Sequence, residues 1–171
     1  LNHHARVGAG GSIEGMEDRY YRGNRPNGVY IPRFRNLGSD QRSDFVRGYG
    51  LQGGAGRGGW NRGATTPGFG EDFKASLRTP GGWTIGFQAY GEVLPYFENF
   101  MTLDDTLTDK WGMPSARFNV GRFDNELAMR KDMAASAAEM LEAAGAKNVN
   151  TYDNAHVAPG NTNHEMGGAR M

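Results

Sequence analysis

Hydrophobic and polar residues alternate most clearly over "GWTIGFQAYGEVLP", residues 82–95. Trp83, Ile85, Phe87 and Ala89 share one parity, and Thr84, Gly86, Gln88 and Tyr90 share the other. A period of two with one apolar side predicts a half-buried strand. "GVYIPRF" (28–34) is also β-prone, but Pro32 cannot donate to a ladder, which predicts an edge strand or a strand end there. "YFENFMTLD" (96–104) and "SARFNVGRF" (115–123) read as two more strands, joined by the turn-rich "DTLTDKWGMP". The period then changes. Over "DNELAMRKDMAASAAEMLEAAG" (124–145), Leu127, Ala134, Ala137, Ala138 and Leu141 recur at helical spacing, widened by Met133, Met140 and Ala144. Asp124 supplies an N-cap, acids occupy the first turn, and Gly145 supplies a left-handed stop. Residues 146–171 are polar, and nothing in them predicts a closing element.

Successive strands joined by short turns favour antiparallel pairing. The pattern therefore predicts an α+β fold, an antiparallel sheet with one long helix packed on one face. Many alanines on that helix permit a close approach to the sheet.

Glycine modifies this picture. It makes up 27 of the 171 residues and concentrates at 8–15 and 48–70, which read as loops and bends around short strands. Within the second zone, "GYGLQGGAGRGGW" (48–60) contains G-x-G-x-x-G twice, the spacing of a dinucleotide-binding turn. That turn requires an apolar strand before it and a helix after it. Here the polar "GSDQRSDFVR" precedes and "WNRGATTPGFG" follows, so the context is wrong and a tight loop is the better reading. An RGG-type nucleic-acid segment is the other functional reading, but such segments are long and repetitive, and this one is short with β-type flanks.

Composition is that of a globular chain leaning polar: 37% hydrophobic and 22% charged, with no apolar run approaching the roughly 20 residues of a membrane span. With no cysteine, disulfides, thiolate catalysis and zinc–thiolate sites are excluded. A net charge of zero conceals an asymmetry. Residues 1–62 hold ten Arg, no Lys and five acids, and residues 63–171 hold nine basic and fourteen acidic residues. Arg suits ion pairs within a domain or across a contact, which explains this better than a nucleic-acid surface does.

Candidate chemistry is sparse. His3 and His4 are adjacent, and His156 and His164 lie eight apart without a metal-ligand pattern. The carboxylate pairs Asp104–Asp105 and Glu71–Asp72 sit in turns or at a helix start, where capping and solvation account for them. "NHEMGGARM" (163–171) differs, because it sets His164 in a glycine-flexible segment. A histidine titrates near neutrality and can take a proton from a substrate hydroxyl. From the residues alone, a structural role for His164 stands beside the catalytic one.

"HEMGGARM" (164–171) resembles the H-x-x-G-T-x-R-M-G signature of glucose–methanol–choline (GMC) flavoprotein oxidoreductases. "LNHH" (1–4) resembles the end of the "LMDHH" segment that closes a stretch of the family's flavin domain, and "RPNGVYIPRFRNL" (25–37), "RGYGLQGGAGRGGW" (47–60) and "GFGEDFKASLR" (68–78) are similar to segments of the bacterial sugar and polyol dehydrogenase branch. So are "MTLDDTLTDKWGMPSARFNV" (101–120) and "DNELAMRKDMAASAAEMLEAAGAKNV" (124–149). The resemblance runs along the whole chain. It implies that residues 1–171 are the substrate-binding domain portion of such an enzyme, with the FAD-binding Rossmann-like domain outside this sequence. It implies FAD-dependent oxidation of a sugar or polyol, His164 as general base, and Asn163 with His164 beside the flavin. The family's second catalytic His or Asn would lie beyond Met171. Gly168 stands where the family usually has Thr, which leaves one hydroxyl hydrogen bond in doubt. Gln88, Tyr90 and Glu92 are the sheet residues expected to meet sugar hydroxyls. A cytochrome or quinone electron acceptor and a periplasmic location go with the same branch. No nucleic acid, metal or membrane span is expected, and the isolated chain is expected to be inactive and free of flavin. The alternative reading is a stand-alone carbohydrate-binding module using Trp60, Trp83 and Trp111.

Overall fold

The computed structural model describes residues 4–16, 28–32, 35–155, 157, 164 and 166–167. Five strands form one antiparallel sheet: β1 (His4–Ile13), β2 (Gly28–Ile31), β3 (Tyr49–Arg57), β4 (Trp83–Glu92) and β7 (Lys147–Asp153), in the order β2-β3-β4-β1-β7. Two more, β5 (Phe100–Thr108) and β6 (Pro114–Asn119), pair as a separate antiparallel ribbon. Among the described residues there are also two helices, α1 (Gly70–Arg78) and α2 (Asp124–Ala143), and a 3₁₀ turn at Trp60–Ala64. The predicted α+β class, antiparallel sheet and long covering helix are all present.

The alternation in β4 sorts the sheet into two faces. Val7, Ala9, Leu51, Phe87 and Ala89 are buried beneath α2 together with Met129, Met133, Ala137 and Leu141. The helix stripe is thus rotated from the predicted one. Met129 and Met133 are completely buried, whereas Leu127 is 43% exposed. The reason is polar. Glu126, Arg130 and Ser136 are also buried, so the packed face carries polar residues that hide it from a hydrophobicity pattern. Arg130 is paired with Asp153 and ties α2 to β7. Gly91 permits the contact between helix and sheet, since a Cβ there would collide with Met129 Sδ and Met133 Cε.

The helix begins one residue away from the predicted cap. Phe123 is the N-cap, and its N–H donates to Glu126 Oε2 at 3.3 Å, so the third helical residue does the capping. Gly145 (φ +86°) stops the helix as predicted.

Three sequence readings are corrected. Residues 4–13 and 49–57 are strands of the main sheet, where a glycine-rich sequence predicts loops. Tyr49 and Leu51 keep the alternation on the buried face, and Gly50, Gln52, Gly54 and Gly56 occupy the opposite side. The polar segment 147–153 is β7, an edge strand whose residues are mostly exposed and so carry no apolar alternation. The strand predicted at 96–104 begins at Phe100 and runs to Thr108. By contrast, β2 ends at Ile31, ahead of Pro32, and lies at a sheet edge as predicted.

The ribbon β5–β6 carries Met101 opposite Phe118 and Leu103 opposite Ala116. Inside it Asp104 Oδ1 accepts the N–H groups of Thr106 and Leu107 at 2.9 and 2.8 Å, and its carboxyl is held below the ordinary range by those bonds. Glu71 and Asp72 occupy the first turn of α1. Glu71 and Asp72 thus lie at a helix start as expected, whereas Asp104 and Asp105 lie within β5 and not in the connecting turn.

Candidate active face of the sheet

The face of the sheet opposite α2 is ordered by register. One cross-strand row runs Gly28, Gly54, Gly86, Gly10, Asn150 from β2 to β7. The adjacent row runs Tyr30, Gln52, Gln88, Gly8, Tyr152, and the next holds Gly50, Tyr90 and Arg6. The first row is a floor without side chains on four successive strands. The second carries two amides between two phenols.

The bare positions in the second and third rows admit the phenols. A side chain on Gly8 would collide with Tyr152, and a Cβ on Gly50 would lie 2.8 Å from Tyr30 Oη. Tyr152 Oη donates to the Phe87 carbonyl at 3.3 Å, and burial raises its pKa from the ordinary phenol value. Tyr90 Oη donates to Gln88 Oε1 at 2.5 Å, which fixes the orientation of that amide. Arg6 lies over the Tyr90 ring, 5.9 Å from its centroid.

Two cavities open on this face. The larger, about 740 Å³, lies over the glycine row and is bordered by Tyr30, Gln52, Gln88 and Tyr152. The smaller, about 260 Å³, is lined by Tyr30, Gly50, Gln52, Tyr90 and His164. The exposed His164 thus comes to the same cavity as Tyr90, 74 positions earlier in sequence. Gln88 borders the larger cavity, and Glu92, at the end of β4, is exposed and 3.9 Å from Arg47. Among the predicted substrate residues, Tyr90 therefore shares a cavity with His164, Gln88 is joined to it through Tyr90, and Glu92 lines neither cavity. Asn163, Gly168, His3 and His156 lie outside the described residues.

Sequence reasoning missed Gln52, Tyr30 and Tyr152. Gln52 and Tyr30 could have been found from the register that β2–β3–β4 pairing imposes, once 49–57 is read as a strand. Tyr152 required β7.

The structure argues against the glycine motif and Trp83, whereas Trp60 and Trp111 are exposed. The G-x-G-x-x-G segment is β3 followed by a 3₁₀ turn, so its residues do not form the strand–turn–helix that cradles a dinucleotide diphosphate. Trp83 is buried, and its indole N–H donates to the Met16 carbonyl at 2.5 Å, so it is not available to stack on a sugar. Several arginines serve the fold. Arg35 and Arg42 reach Asp132 at 2.8 and 3.7 Å, while Arg57 and Arg62 bond backbone carbonyls of 58–59 and 76–81. No helix among the described residues is long and apolar enough to cross a membrane.

An antiparallel sheet with one face sealed by a helix and the other presenting amides, phenols and a histidine around bare backbone is an α+β domain with an open polar face. Residues 95–171 match the family model described as GMC oxidoreductase. Comparison with curated proteins gave no match.

Proposed function

We propose that this chain is the substrate-binding portion of an FAD-dependent oxidoreductase of the sugar and polyol dehydrogenase branch, with His164 as general base. The observation that carries the reading is the shared cavity of His164, Tyr90, Gln52 and Tyr30 on the open face of the sheet. A hydroxyl seated there meets an imidazole able to accept its proton and phenol and amide groups able to bond its neighbours. Flavin, when bound, supplies the hydride acceptor. The contribution of this chain is to hold the carbinol group against that acceptor, to take the hydroxyl proton on an imidazole nitrogen of His164, and to orient the remaining hydroxyls. Tyr90 acts in that orientation directly, and Gln88 acts through Tyr90. Asn163 is assigned to the flavin margin with His164, and the dinucleotide is bound by the separate Rossmann-like domain. Export to the periplasm and electron transfer to a cytochrome or quinone belong to the same proposal.

The test is reduction of the flavin by substrate in the full-length flavoprotein, followed by stopped-flow absorbance. His164→Ala slows the step by about 10²–10⁴, the usual contribution of a general base. A rate within about tenfold of the natural protein refutes the assignment.

A further inference from the structure

The two cavities of the open face share a wall. Tyr30 and Gln52 line both, so the His164 pocket continues into the trough over the glycine row. Pockets that hold drug-sized molecules measure about 300–1,000 Å³. The His164 pocket, at about 260 Å³, falls below that range, and the trough, at about 740 Å³, lies well within it. Most of the binding space therefore lies beside the reacting position. We propose that the trough is a second sugar subsite, and that the substrate is a neutral glycoside of at least two rings. Its oxidised ring stands against His164, and the adjoining ring lies on the glycine floor. This rests on the oxidoreductase reading above and names the substrate class for it.

Three features of the trough select such a ligand. The first is the floor. Gly28, Gly54, Gly86 and Gly10 stand side by side on four strands, and none has positive φ, so backbone conformation does not require glycine there. At Gly10 packing does not require it either, since a Cβ would meet only the Ile85 carbonyl oxygen, at 3.6 Å. Glycine in a strand interior costs stability, and it marks places where something approaches the backbone closely. The bareness at Gly10 is accounted for by what rests above it, and the flat C–H face of a pyranose fits a surface of exposed peptide planes.

The second feature is the rim. Gln52 and Gln88 are directly opposite across β3 and β4, and Tyr30 and Tyr152 stand at either end of the same row. Amides and phenols both donate and accept, as sugar hydroxyls do. The third is charge. Among the described residues lining the trough none is charged, whereas a phosphate or carboxylate ligand would call for Arg or Lys.

The test uses the full-length flavoprotein with neutral disaccharides (maltose, cellobiose, lactose) against glucose and galactose. At least one disaccharide should exceed its monosaccharide about tenfold in kcat/KM. In Gly10→Val, which raises a side chain into the trough, that ratio should fall about tenfold or more, in the range seen when a pocket is altered by a few carbons. Gly10→Ala, the milder change, should lower it in the same direction if the valine variant fails to fold. No disaccharide preference, or a ratio unmoved by both variants, overturns the subsite. Calorimetric binding separates this idea from the reading beneath it. Disaccharide binding that Gly10→Val weakens, with no sugar oxidised by the natural protein, retains the subsite and refutes the oxidoreductase assignment.

Discussion

At the residue scale the side chain that organises most of its surroundings away from the site is Asp132. It accepts from Arg35 Nε at 2.8 Å and from Tyr49 Oη at 2.5 Å, and Ser136 Oγ lies 3.0 Å from the same phenol. Burial, first, and the Asp132 carboxylate, second, push the Tyr49 phenol well above its ordinary value, while the bond to Asp132 raises the Arg35 guanidinium. Asp132→Ala leaves a buried phenol and a part-buried cation without their acceptor, and unfolding by urea should show a loss of about 1.5–3 kcal/mol. Tyr96 behaves similarly to Tyr49. Burial and the neighbouring Glu126 raise it to about 12. A phenol whose folded pKa lies above its unfolded value contributes stability that is complete below about pH 10 and lost as pH rises toward 12. Thermal melting between pH 8 and 12 should therefore hold steady to about pH 10 and then decline, and Tyr96→Phe should reduce the decline. None of these pairings was legible in the sequence, because Arg35 and Asp132 lie 97 positions apart. Only the surplus of Arg and its suitability for ion pairs could be read.

At the element scale, the strands that showed two-sided chemistry were readable and those that did not were missed. β4 has apolar residues on one parity and polar ones on the other, and the structure keeps that division. β3 was hidden because Gly50, Gly54 and Gly56 flank Gln52 on its open face, and glycine argues against a strand on propensity. Its two buried residues, Tyr49 and Leu51, were too short a signal. Helix α2 was readable in extent and misread in rotation, since buried Glu126, Arg130 and Ser136 mask the side that packs. The contact of α2 with β4 at Gly91 leaves no room for a branched side chain. Gly91→Val should cost about 1–3 kcal/mol through overpacking, and the loss should shrink when Met133 is shortened to Ala in the same protein, as a double-mutant cycle in urea would reveal.

At the scale of the whole molecule, three arginines of the Arg-rich part meet acids of the acidic part. Arg35 and Arg42 meet Asp132, and Arg47 approaches Glu92. The candidate site is similarly composed of distant parts: β2 and β3 from the Arg-rich part, β4 from the middle, Tyr152 and His164 from the end. His164 could be singled out from its segment, but the cavity it enters depends on strand register, which no local pattern reveals. The strand order adds one consequence for biosynthesis. β1, made before β4 and β7, lies between them, and Ser12 is in register with Lys147. A chain emerging from the ribosome can pair β1 with β4 well before β7 exists, and during that interval one side of β1 is an unpaired edge. Of the five strands of this sheet β7 is made last, so this edge of β1 stays open until the segment ending at Asp153 has been added.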